Sequence, residues 1–462
     1  MKSRKARVWH RSVVGVVVVV AGLGGIASTS PASTSPASAA SSLPAKAGPP
    51  IPTSSTSTTT IPGTFVLPAG QLHRKVAEST TGPNPKQVAF TPDGKEVWTP
   101  LLGSTGVDVF SVPSLTKIAR IRLGTYGGVE VVFTKDSKRA YVSQMQTATV
   151  YEIDVSAKRV LRVLKTGGNW TKTVELSPDE RTLYAANWVS DDISVIDLAS
   201  GAVTAKIPTV DTPRGLIVAN DGRSLFVAGF ENGEIARIDL TLSGVPATSP
   251  ASTVQTTIAS STSAPAPSSP VPTSSVPTPP VPTTAVSTTS PKASTKSSAG
   301  TTSVLFQTGG AMRHLALDRV KNILYADDMG RDSVYVVDLA SNTTRTMAAT
   351  DSHPNTIDLS PDGKYLYVSN RGHNSEKGYN QFGPDFGSVI VFDTSTGAAV
   401  DAIVGGNQTT GLDVSPDGTL LAFTDFQDAR VQLYAIPSAD VLAKSSGERV
   451  KSYKKELLRK KR

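Results

Sequence analysis

Cysteine is absent from this 462-residue chain, so no disulfide framework supports the fold and its stability has to come from packing alone. Histidine is almost absent too. Of five, His10 falls in the basic N-terminal stretch, while His314, His353 and His373 are scattered, with no His-x-His and no His-Glu-x-x-His. That spacing argues against a metal centre. No nucleophile elbow, phosphate loop or dinucleotide fingerprint is visible, and no cofactor is expected. The only long apolar run, Val13 to Ala27, has 15 residues, short for a spanning helix. Charge is sparse as well, at 18% of residues, and the net +8 is concentrated at the two ends. Residues 1–11 carry +5 and residues 444–462 carry +7, which leaves −4 for everything between them. A mildly acidic body gives no support to a nucleic-acid surface.

What is present begins with an export segment. Lys2, Arg4, Lys5, Arg7 and Arg11 precede the apolar run in the order expected of a signal peptide. Ala37-Ser38-Ala39 is a distant cleavage site, so residues 1–27 read as a cleaved signal or as an uncleaved anchor. The chain is expected outside the cytoplasm, secreted or held on the outer side of the membrane. Residues 28–63 and 241–303 are nearly all Pro, Ser, Thr, Ala and Val, and read as extended tethers or glycosylated stalks. Residues 438–462 form a basic tail, read either as an amphipathic surface helix or as disordered. The N-terminal segment and this tail are expected to meet a membrane or cell wall.

Between these segments, residues 64–437 are built on a repeat. Ser360-Pro361-Asp362-Gly363 joins two strand-like runs, and degenerate copies place Asp93, Asp136, Asp179, Asp221, Val320, Asp362 and Asp417 at equivalent positions. The spacings are 43, 43, 42, 99, 42 and 55, so the period is near 42 and two intervals carry insertions. Proline presets φ, aspartate bonds nearby backbone and glycine accepts positive φ, so the tetrapeptide makes a tight hairpin between strands A and B. Runs such as Tyr365 to Ser369 and Ser388 to Asp393 are short and β-branched, which favours strands. Several strands per period of about 42 predict an all-β, seven-bladed β-propeller. Strand C ends in Asp154, Asp197, Asp239, Asp338 or Asp393, read as turn-capping carboxylates. The seventh copy loses its pattern after strand C, whereas Leu72 to Ala77 lies upstream without a blade. That N-terminal strand is expected to complete the last blade and remove the open edge.

Leu366-Tyr367-Val368-Ser369-Asn370, Val195-Ile196-Asp197-Leu198 and the Ser-Pro-Asp-Gly turns together resemble the YVTN family of β-propeller repeats. The likeness covers about residues 71–437 outside the insertions and is weakest in repeat five. It implies a seven-bladed propeller of cell-surface type, with lactonase-like enzymes as cousins. It does not imply one activity.

In such a disc the D-to-A and B-to-C connections share one face, called top here, and the tethers and tail leave from the other. Strand A entries put Lys86, Val129, Lys172, Arg214, Arg313, Asn355 and Thr410 in one column around the central opening, four of them cations. Deeper in the same strands lie Glu175, Asp358 and Asp413. Two readings follow: an anionic or polyhydroxylated ligand held by Lys86, Lys172, Arg214 and Arg313, or mutual neutralisation of cations and carboxylates between blades. The B-to-C column places Trp188, Phe230, Arg371 and Phe426 beside Leu102, Met145 and Met329. With Trp170 these form either an exposed partner-binding rim or side chains folded down over their own blades.

The expected function is a monomeric, non-enzymatic recognition or scaffold propeller with an anionic, glycan or protein ligand at the funnel. The alternatives are a lactonase-like hydrolase using His314 or His353 as base with Glu175 or Asp358 as partner, and a structural envelope component.

Overall fold

The computed structural model describes residues 67–241, 295–297 and 300–458. The export segment 1–27, the linker 28–63 and most of the Pro/Ser/Thr insertion lie outside the described residues. Seven antiparallel sheets form a ring, each ordered A, B, C, D outward from the channel. As expected, the N-terminal strand closes the ring: Arg74–Thr80 pairs with Arg430–Ala435 as the fourth strand of blade seven. It starts two residues later than the sequence suggested because the backbone ahead of it is engaged elsewhere. The Leu72 and His73 N–H groups donate to Asp401 Oδ2 at 3.0 and 2.9 Å, and His73 Nδ1 lies 2.7 Å from the same oxygen.

The hairpin chemistry follows from the repeated residues. In blade six Ser360 Oγ donates to Asp362 Oδ1 at 2.7 Å, the Tyr365 N–H donates to Ser360 Oγ at 3.0 Å, and Gly363 takes φ +67°. The hydroxyl–carboxylate bond recurs at Thr91–Asp93, Thr134–Asp136, Ser177–Asp179 and Ser415–Asp417. Blade five, lacking those residues, uses Asp318 to accept the N–H groups of Val320 and Lys321. The strand C aspartates cap turns as expected, with Asp197 accepting from Ser200 and Asp393 from Ser395 and Thr396.

Because strands are buried on both faces, neighbouring blades pack through continuous apolar layers. Trp98 of blade one is fully buried, donates Nε1–H to Glu96 at 2.8 Å, and meets Phe133 of blade two edge-on at 5.2 Å. At the closing seam Val88, Phe90, Val97 and Phe110 pack with Ala422, Val431 and Leu433 of blade seven. Each such large side chain contributes about 1.5–3 kcal/mol relative to exposure.

Two segments differ from expectation. Strand D of blade four begins at Gly300 inside the supposed unstructured insertion, and Thr295–Ser297 pairs beside it as a fifth strand. β-Branched Thr301 and Thr302 extend the ladder, with Thr302 Oγ1 donating to Pro208 O at 2.7 Å. The C-terminal tail is ordered through Leu458 as α1 (Ala439–Ala443), α2 (Glu448–Ser452) and α3 (Lys454–Leu457). It leaves the bottom face and climbs the outer strand of blade six, Ala399–Val404, so Leu457 lies beside the top loop of that blade. Leu442 and Tyr453 are buried with Val450 and Leu457 against this side of the ring. Arg449, fully buried, donates to Ala402 O and pairs with Glu456. Of the two readings of the tail, the amphipathic helix is the nearer, but its apolar side packs on blade six and the segment forms three short helices.

Candidate functional site

The backbone aims the first residues of strand A into the channel in two steps. Two positions before the column, Asn84, Trp170, Thr212, His353 and Gln408 take positive φ of 55°, 60°, 50°, 60° and 61°. The A–B register then breaks between Thr171 and Val174, Pro213 and Gly215, Met312 and Leu315, Pro354 and Thr356, and Thr409 and Leu412. Each break is a bulge containing the column residue, which turns its side chain out of the sheet and toward the axis.

Five cations meet there. Arg313 donates to Asn355 O and Oδ1 at 2.7 and 2.9 Å, and Arg214 pairs with Glu130 at 2.9 Å. Lys172 Nζ sits 2.9 Å from the centre of the Trp188 ring, which packs on Phe230 at 5.0 Å. Lys86 Nζ and the Arg371 guanidinium lie 5.4 and 5.9 Å from the Phe426 ring centre, and Arg371 Nη2 donates to Gln408 Oε1 at 2.7 Å. Burial first, and then repulsion among these neighbours, pushes Lys86, Lys172 and Arg313 well below their ordinary pKa values; burial lowers Arg371 to about 10. Glu130 is the one carboxylate paired directly with this group among the described residues. Arg371 Nε and Asn355 Nδ2 are buried without hydrogen-bond partners.

The column therefore assembles as expected, but the B-to-C residues do not make an exposed rim. Phe426 is 2% and Arg371 4% exposed, and Met145 and Met329 are 8% exposed each. Trp188 and Phe230 are half-buried. The rings of Trp188 and Phe426 and the thioether of Met329 face the cationic cluster, Arg313 Nη1 lying 3.7 Å from Met329 Sδ. Trp170 stays half-exposed on the loop above, its carbonyl accepting the Trp188 N–H at 3.0 Å.

The deeper carboxylates do not neutralise the cations. Asp358 Oδ2 accepts the Val414 N–H at 2.9 Å and Asp413 Oδ2 accepts the Phe90 N–H at 2.7 Å, tying neighbouring strands A together. Burial raises Asp358 to about 6, and burial together with the neighbouring Asp358 carboxylate raises Asp413 well above its ordinary value. Glu175 is raised by burial to about 7, with Arg319 at 4.0 Å.

Of the alternative catalytic set, His314 and Asp358 share a cavity, while Glu175 and His353 stand apart from them. His314 and Asp358 line one cavity of about 260 Å³ and Glu175 an adjacent one of about 460 Å³, with Arg319 on both walls. His353 lies on the top loops beside His373, ring centres 6.0 Å apart. Burial lowers His314 to about 4, which makes it a weak base at neutral pH, and its Nδ1 has no partner. No cation of the upper column lines either lower cavity.

Sequence reasoning missed Gln408 and Asp327. Gln408 steadies Arg371, and Asp327, pushed up to about 7 by burial, accepts the His314 N–H at 2.6 Å. Gln408 stands two positions before the column, yet the residues at that position share no chemistry that would mark it.

A seven-bladed ring with a cationic mouth, closed by the strand Arg74–Thr80 and strapped by helices α1 to α3, defines the class. The sequence model of the family "Lactonase, 7-bladed beta-propeller" matches residues 59–249 and 342–455, and the chain belongs to that family. Antigen Lp49 of Leptospira interrogans serogroup Icterohaemorrhagiae serovar copenhageni is 30% identical over 381 residues, covering 79% of this chain and 70% of that protein. Among solved structures, the hydrazine synthase of Kuenenia stuttgartiensis superposes with a TM-score of 0.57 at 16% identity. That match covers 78% of this chain and 97% of the other, a likeness of fold alone.

Proposed function

We propose that this protein is an exported, surface-exposed recognition propeller that holds an anionic ligand at the top of its channel. The observation that carries this reading is the convergence of Lys86, Lys172, Arg214, Arg313 and Arg371 around one directly paired carboxylate, Glu130, with Arg371 Nε and Asn355 Nδ2 buried and unmet. Buried cations need counter-charge, and a ligand carboxylate, phosphate or sulfate supplies it. The basic N-terminal stretch before an apolar run supports export, and so does a relative named as an antigen. The YVTN-type character of the repeats belongs to the same proposal. The family's name points to lactone hydrolysis, but His314, which shares a lower cavity with Asp358, is held by burial at about 4 and its Nδ1 meets no partner there.

The test is calorimetric titration of the full chain with inorganic phosphate, citrate and a sulfated oligosaccharide. Saturable, salt-sensitive binding of at least one is expected, weakened tenfold or more by Lys172→Met. If none of the three binds, or if Lys172→Met binds as well as the parent, the funnel is not the ligand site.

A further inference from the structure

The long top loop of blade six, residues 371–387, carries an arrangement that the funnel reading does not use. His373 Nδ1 lies 2.8 Å from Asp385 Oδ2, and the other oxygen of that carboxylate, Oδ1, accepts the His373 N–H at 2.8 Å. On the far side of the imidazole, His373 Nε2 lies 3.1 Å from Ser352 Oγ. With Nδ1–H donating to Asp385, Nε2 is left as the acceptor for the serine hydroxyl, the tautomer a general base requires.

The three groups come from two loops, and both are fixed. The Ser352 carbonyl accepts the Gly372 N–H at 3.1 Å. Its neighbour Asp351 accepts Ser388 Oγ and Tyr453 Oη at 2.6 and 2.8 Å. The Asp385 carbonyl accepts Asn407 Nδ2 at 2.9 Å, and the Phe386 N–H donates to Leu457 O at 2.8 Å. Asn407, itself fully buried, also holds Gly383 through both its carbonyl and its N–H. The C-terminal strap thus holds both loops from one side and blade seven holds the longer one from the other. A loop with no regular structure is ordinarily free to wander; this one is held at a fixed geometry, which is what a catalytic constellation needs. The His373 side chain is 61% exposed and that of Asp385 17%. The imidazole therefore faces solvent over a shielded carboxylate, and Tyr379 and Phe382 stand exposed on the same loop as apolar surface.

We propose that Ser352, His373 and Asp385 form a hydrolytic relay that acts on carboxylic esters with an aryl or short acyl group. Ser352 Oγ attacks the ester carbonyl carbon as its proton passes to His373 Nε2. The tetrahedral adduct collapses with cleavage of the carbon–oxygen bond, and His373 returns the proton to the leaving alcohol. Water then adds to the acyl-Ser352 ester with His373 again taking the proton, and carboxylic acid and free serine result. Asp385 touches no substrate; it is a positioning residue that fixes the tautomer and stabilises the imidazolium.

The experiment uses the full chain with a fluorophosphonate label and with p-nitrophenyl butyrate. Peptide mapping is expected to place the label on Ser352, and Ser352→Ala and His373→Ala are each expected to lower turnover at least 100-fold. Ser352→Ala removes one atom from a loop serine, so it separates loss of chemistry from loss of fold. Asp385→Asn is expected to lower kcat about tenfold or more with KM unchanged, a split that a purely structural role would not give. Absence of label on Ser352, or undiminished turnover in Ser352→Ala, overturns the proposal.

Discussion

Replacing Glu175 with glutamine tests the electrostatics of the lower channel. Burial holds the Glu175 carboxyl at about 7 against an ordinary 4.5, with Arg319 at 4.0 Å too distant to offset it. A tenfold change in proton affinity is worth about 1.4 kcal/mol, so full ionisation costs the folded state up to about 3 kcal/mol. The side chain is 23% exposed, and partial hydration reduces that to about 2 kcal/mol. The sign follows from the raised value. The folded state binds the proton more tightly than the unfolded chain, so the contribution is intact below pH 4.5 and is lost as pH rises through 7. Glutamine keeps the acceptor facing the Val218 N–H but carries no charge. Urea unfolding at pH 8.5 should therefore show Glu175→Gln more stable than the parent by about 2 kcal/mol, and at pH 4.5 the two should agree within error. An equal gain at both pH values would mean that the variant acts through packing; no gain at pH 8.5 would mean that the carboxylate is not desolvated.

Two further outcomes follow from the closing seam. Deleting residues 64–80 removes the fourth strand of blade seven together with the buried His73–Asp401 contact, and is expected to abolish cooperative thermal unfolding; a melting curve like that of the full chain would refute ring closure by this strand. Gly411→Ala places a Cβ 2.6 Å from the Gln87 backbone of the adjacent blade, and is expected to destabilise the fold by about 1–3 kcal/mol in urea titration, an unchanged midpoint counting against the close approach.

The sequence made the blades legible because each A–B hairpin needs the same turn chemistry, and Asp93, Asp136, Asp179, Asp362 and Asp417 mark it at a near-constant interval. It also made the inward column legible, since aligning strand entries is enough to bring Lys86, Lys172, Arg214 and Arg313 together. The direction of the B-to-C side chains was not legible. Trp188 or Phe426 at that position satisfies an exposed rim and an inward fold equally well, and only the cations opposite them decide. The docking of the tail on blade six was hidden for a related reason. Its lysines and arginines dominate its composition, while the residues that dock it, Leu442, Val450, Tyr453 and Leu457, are few and irregularly spaced. Ser352, His373 and Asp385 come from separate parts of two loops, and no spacing rule joins them.

The arrangement along strand A explains why the carboxylates deeper in the same strands supply the cations with so little counter-charge. Lys172 and Glu175, or Asn355 and Asp358, stand three residues apart, about 10 Å along an extended chain. At that distance and an effective dielectric near 20, opposite charges attract by about 1.7 kcal/mol, against about 4 at direct contact. The carboxylates meet their own requirement at the far end through the N–H groups of Val414 and Phe90, and burial favours their protonated forms. The field along the channel is therefore polarised. On the proposed reading, an anion entering from the top face would gain contact with Lys86, Lys172 and Arg371 and lose ground near Asp358 and Asp413. A ligand held by the mouth should stay there rather than pass through.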